Sequence, residues 1–265
     1  MFSKNKIIVV LIFELINCFP VLAQDTIQDT KTVFHDNISK NVDYKNNRLN
    51  YRNLIAPAVL IGFGIISLEN DGLKQLNFST RDEINEHRLN HTPLDNYSQY
   101  MPAAMVYGLN AAGIKGRHNF KERTIIYATS QLISAAFVLP LKHITKEERP
   151  DGSNNLSFPS GHTATAFSSA QFMFREYRDT NFLLAISGYS FAVFTGVYRT
   201  INDKHWVDDV VAGAGFGILS TELAYWLFPK INGLLTGAAK ENKSVTAVAP
   251  FFQSNSFGLG LIYKF

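Results

Sequence analysis

Three short clusters in this chain combine residue types able to hold and cleave an anion. They are LKHITKEERP (141–150), SFPSGHTATAF (157–167) and VYRTINDKHWVDDV (197–210). Lys142, Arg149 and Arg199 are cations with few acids at helical pairing distance, and guanidinium groups bind phosphate oxygens in a forked geometry. Pro159-Ser160-Gly161-His162 precedes an apolar, small-residue helix, whose first turn offers free backbone N–H groups and the positive end of a helix dipole. Ser160 adds a hydroxyl donor, and Gly161 permits close backbone approach. Together these groups are suited to a tetrahedral anion.

Two histidines remain for bond breaking. His205 and Asp209 are spaced i,i+4, so they share one face if a helix begins near Trp206. Asp209 can then accept from one ring nitrogen, fix the tautomer, and leave the other nitrogen free to attack phosphorus. His162, at the mouth of its own helix, is expected to be protonated and to donate to the departing alkoxide. Three fixed cations can neutralise the developing charge, so no metal or other cofactor is required. Asp208 adjoins Asp209 but lacks the i+4 spacing. His35, His87, His91, His118 and His143 show no ligand spacing, which argues against a metal site.

These clusters need helices to position them. Six apolar segments of helical length follow one another: Leu54–Leu68, Met101–Ile114, Ile125–Leu141, His162–Phe174, Leu183–Tyr198 and Val210–Phe228. Pro229 is expected to close the last, and a further amphipathic piece is expected around Arg81–Leu89. Gly213, Gly215 and Gly217 lie inside an apolar helix, so close packing explains them better than a nucleotide loop does. Only Val210–Phe228 reaches spanning length, and it carries Glu222. An exported, periplasmic helical bundle lying at or partly within the membrane is therefore expected. The stretch Gly113–Arg123 is rich in cations and reads as a solvated helix–helix loop first, with contact to lipid headgroups or to a second substrate phosphate as the alternative.

The ends differ from the middle. Lys4 and Lys6, the apolar run Ile7–Ile16 and Val21-Leu22-Ala23 read as a secretory signal over residues 1–23. If it is cleaved after Ala23, Cys18 is removed and no thiol chemistry remains. Residues 24–50 form a polar extension, 51–230 the helical domain, and 231–265 a tail whose segments Val245–Phe251 and Gly258–Phe265 read as a β-hairpin packed on the bundle. A net charge of +3, scattered along the chain, gives no nucleic-acid footprint.

The order K-x6-R-P, P-S-G-H, R-x5-H-x3-D resembles the type 2 phosphatidic acid phosphatase (PAP2) superfamily. That superfamily also contains bacterial acid phosphatases and vanadium haloperoxidases. The resemblance implies an all-α fold with a six-helix core, here carrying the C-terminal hairpin. It implies a phosphohistidine on His205, proton donation by His162, and orientation of His205 by Asp209. Lys142, Arg149, Ser160, Gly161 and Arg199 would contact the phosphate. The sequence departs at Tyr198, where the family usually has serine, and in the short interval between Pro150 and Pro159. The expected activity is hydrolysis of a phosphate ester on an envelope lipid. Candidate substrates are lipid A phosphates, undecaprenyl pyrophosphate, phosphatidylglycerophosphate and phosphatidic acid, with lipid A first. A haloperoxidase or a broad-specificity periplasmic acid phosphatase is the alternative.

Overall fold

The computed structural model describes residues 49–87, 89–236, 245–253 and 256–264, all within one unit, Asn47–Phe265. The expected signal segment and nearly all of the polar extension lie outside the described residues. Eight helices occur among the described residues: α1 (Arg52–Ser67), α2 (Asp71–Glu86), α3 (Asp95–Ser98), α4 (Met101–Ala111), α5 (Phe120–Thr145), α6 (Gly161–Tyr177), α7 (Phe182–Ile201) and α8 (Val207–Thr236).

The expectation of six helices and a hairpin packed on them is corrected by this architecture. Counting apolar runs misses α2, which is too polar to register as a run, and α3, which is a single turn. The helical body contains no strand. The segments β1 (Val245–Gln253) and β2 (Ser256–Lys264) pair only with each other, so they are no layer of the bundle. All-α remains the class.

Helix ends follow the caps. Asn119 and Glu122 form a capping box that starts α5 ahead of the apolar run, and Ser160 caps α6. Pro229 does not end α8, which continues to Thr236. α6 and α8 form the centre of the bundle. Cβ atoms at Gly213 and Gly217 of α8 would run into the backbone of Ser160 and Ala164. Glycine there lets α8 lie against α6 closely enough to fix Asp209 beside the start of α6.

Three helices, α5, α7 and α8, are long and apolar enough to cross a membrane, and α1 with α2 passes the same test as a pair bent by 92°. The sequence reading found one, because its segments for α5 and α7 stop short of the helices at both ends. Leu132, Leu139 and Ile144 on α5, and Leu183, Val193 and Val197 on α7, are exposed. Apolar outer faces of this extent suit contact with lipid.

Candidate active site

All eight expected site residues converge on one end of the bundle. Lys142 comes from the end of α5, and Arg149 from the loop that follows it. Ser160, Gly161 and His162 open α6, Arg199 ends α7, and His205 and Asp209 flank the start of α8. A web of loop contacts holds this end together. The Asp151 N–H donates to the Asp203 carbonyl at 3.1 Å, and Lys204 pairs with Asp151 at 2.6 Å. The Trp206 indole donates to the Glu148 carbonyl at 2.8 Å. The polar helix α2 contributes from outside: Arg81 pairs with Asp203 at 3.3 Å, and Phe78 meets Trp206 edge-on.

His205 is 1 % exposed. Its Nδ1 lies 3.4 Å from an Asp209 carboxylate oxygen. The same oxygen accepts from the Ser157 hydroxyl and from the Trp206 N–H at 2.8 Å. Three groups therefore converge on one carboxylate oxygen, which faces one side of the imidazole and leaves Nε2 for a ligand. Burial first, then the positive charges of Lys142, Arg199 and Arg149, holds the His205 pKa well below its ordinary value. The ring is neutral and keeps a lone pair.

The three cations do different things. Lys142 Nζ donates to the Leu156 carbonyl at 2.6 Å and to Ser157 at 3.1 Å, so it braces the loop that carries Ser157. Arg199 forms a buried pair with Asp95 at 2.9 Å. The Nε atoms of Arg149 and Arg199, and the second oxygen of Asp209, are buried without a partner among the described residues. Buried polar atoms are rarely left unbonded, so the two guanidinium N–H groups are disposed to donate to an anion. Ser160 caps its own helix through the Thr163 N–H at 3.4 Å. A Cβ at Gly161 would meet Val138 and Lys142 only at ordinary contact distances. Its absence leaves room beside Lys142 without relieving any clash.

His162 differs from expectation. Burial, then Arg199, lowers its pKa to about 4, so these surroundings keep the ring neutral. The sequence reading placed it near cations but did not weigh how strongly they oppose a further positive charge. A bound phosphate would reverse that balance.

Two residues absent from the sequence reading touch this site. Asn96 Oδ1 lies 2.9 Å from His162 Nε2, and Asp95 holds Arg199; both belong to α3. Their only signal was the turn-forming run Thr92-Pro93-Leu94-Asp95-Asn96, far in sequence from every cluster. Ser157 lay inside a quoted cluster, but its spacing to Asp209 has no local meaning.

The chain is similar in sequence to known proteins. Residues 123–232 match the family model of the PAP2 superfamily. Over those residues the chain is similar to that superfamily. The matched PAP2 segment contains all eight expected site residues and excludes Asp95 and Asn96. A lipid A 1-phosphatase of Porphyromonas gingivalis is 37 % identical over 158 residues, covering 57 % of this chain and 36 % of that protein. The bacitracin transport permease protein BcrC of Bacillus licheniformis is 37 % identical over 76 residues, covering 29 % of this chain and 36 % of its own length. The chain thus spans about a third of the length of these curated relatives. Among solved structures, Aquifex aeolicus LpxE is similar at a TM-score of 0.44 and 22 % identity, over 56 % of this chain and 94 % of that one.

Proposed function

We propose that this chain is a metal-independent PAP2 phosphatase acting on a phosphate ester of an envelope lipid, with a lipid A phosphate as first candidate. One observation carries the reading: a buried, neutral His205, oriented by Asp209 through Nδ1, lies under the combined field of Lys142, Arg149 and Arg199.

In the first step His205 Nε2 attacks phosphorus, a P–N bond forms and the bond from phosphorus to the lipid oxygen breaks. The departing alkoxide takes a proton from His162. The guanidinium groups and the Ser160–Gly161 backbone balance the charge on the transferring phosphoryl oxygens. Water, deprotonated by the now neutral His162, then attacks phosphorus, the P–N bond breaks, and inorganic phosphate leaves. The exposed apolar faces of α5 and α7 support a lipid as the alcohol, and the name of the Porphyromonas relative supports lipid A.

The test is phosphate release from lipid A, an isoprenyl pyrophosphate, phosphatidate and a soluble aryl phosphate, with EDTA present. The expected result is release from lipid A that EDTA leaves unchanged and that His205→Ala abolishes. Release that survives in the variant, or that EDTA stops, overturns the mechanism. Release from another lipid alone moves the substrate and keeps the chemistry.

A further inference from the structure

The cation-rich stretch Gly113–Arg123 takes no part in the site above. It lies at the other end of α6, because the Arg117 N–H donates to the Glu176 carbonyl at 3.0 Å. Arg175 follows His162 along α6 by about 20 Å of helix. A cavity of about 200 Å³ opens here, lined by Asn50, Asn53, Arg117, Arg175, Arg178 and Trp226, with Glu222 at its base.

We infer that this cavity is a second anion site, which takes the phosphate of a lipid headgroup. Three arginines line it against one carboxylate, and that carboxylate is already engaged. Glu222 accepts from Asn53 at 2.9 Å, from Gln171 at 2.5 Å and from Arg175 at 2.5 Å. Arg175 also lies over the Tyr225 ring at 4.5 Å, while its Nε is buried without a partner among the described residues. Arg117 and Arg178 are at most weakly neutralised. Among the described residues the acid each reaches is Asp179, at 3.6 Å, and that carboxylate is 65 % exposed. Two forked donors at the rim of a cavity, sharing one solvated acid, match the oxygens of a phosphate.

The surroundings favour a lipid as its carrier. Arg178 lies over Phe174, Phe174 packs edge-on against Phe182, and Phe182, Leu183 and Phe120 are exposed at this end. Lys230 lies over the Trp226 ring at 4.9 Å. Guanidinium groups beside exposed aromatic side chains, with a Trp and Lys pair, are the chemistry of a membrane–water boundary.

The experiment uses the full chain, purified in detergent, and the double variant Arg117→Ala/Arg178→Ala, whose side chains are partly exposed and whose loss leaves the Glu222 cluster intact. Native mass spectrometry reads retained lipid after exposure to mixed micelles of phosphatidylglycerol and phosphatidylcholine. In parallel, inorganic phosphate is titrated against thermal stability. Hydrolysis of a soluble aryl phosphate should be unchanged in the variant, which separates this cavity from the His205 site. The expected result is retention of phosphatidylglycerol over phosphatidylcholine by the wild type, cut at least about fivefold in the variant. A variant that keeps the lipid but loses part of the phosphate-induced shift supports the anion site and assigns it to a free anion. A variant identical to wild type in both readouts overturns the inference.

Discussion

At the first turn of α6, three buried ionic atoms are without a partner among the described residues, whereas at its last turn there is one, Arg175 Nε, in a cluster whose carboxylates are already bonded. Around His162 the orphaned atoms are Arg149 Nε, Arg199 Nε and one oxygen of Asp209. Around Glu176, His118 Nδ1 meets a carboxylate oxygen at 2.7 Å and the Tyr225 hydroxyl donates to the same oxygen at 2.7 Å. Nearby, Glu222 gathers Asn53, Gln171 and Arg175. An unmet buried charge is costly, so a fold keeps such groups only where something else completes them. One end of α6 therefore gathers most of the open bonding capacity beside His205, and the interior of the other holds helices together beneath an arginine rim, with Arg175 Nε its one open donor among the described residues.

The comparison fails if the two ends respond alike to mutation. His205→Ala should lower kcat/KM on a phosphomonoester by at least about 10⁴-fold, the scale of losing a nucleophile, and shift Tm little. Glu222→Ala should do the reverse. Removing one member of a buried ion pair leaves Arg175 uncompensated and costs about 3–5 kcal/mol, to be read by thermal or denaturant unfolding in detergent. Activity per folded molecule should stay within about twofold of wild type, the scatter ordinary for changes outside a site. A stable Glu222→Ala protein would show that the far cluster does not hold the bundle.

How far the sequence foretold this division follows from the range of each signal. His205 and Asp209 were legible because i,i+4 spacing is a local rule. Ser160-Gly161-His162 was legible because a cap and a helix start are adjacent in the chain. Six apolar helices were legible as runs. α2 was not counted among them, because a helix whose job is to dock Arg81 and Phe78 on the loop before α8 needs few apolar residues. Asp95 and Asn96 were not legible, because their partners Arg199 and His162 lie on two other helices and only tertiary packing joins them. The neutral state of His162 was missed for a similar reason: it depends on how closely several cations surround the ring, and spacing does not report that.

The neutral His162 makes the comparison sensitive to pH. The productive complex needs a neutral His205 and one proton on His162. With His162 held near 4 by burial and the surrounding cations, that proton must enter with the substrate, as the monoanion of a phosphomonoester whose second pKa is about 6. As pH rises above that value the monoanion disappears, and kcat/KM should fall by about tenfold per pH unit between about 7 and 8. His162→Asn should be slow and nearly flat over the same range. A wild-type profile that stays level to pH 8 would mean that His162 is charged before substrate arrives.

The smallest effect expected is at Asn96, and it separates positioning from chemistry. The contact to His162 Nε2 at 2.9 Å fixes the ring but offers no proton, since the amide oxygen can only accept. Asn96→Ala should therefore lower kcat by about tenfold, leave KM within about twofold, and keep the pH profile of the wild type. Asn96→Asp should restore ring orientation, because a carboxylate oxygen accepts from the same nitrogen. It would also stabilise the protonated ring and move the falling limb of kcat/KM to higher pH. A purely structural role for α3 predicts instead that both variants lose stability together and that the limb stays in place, and the shift of that limb decides between the two.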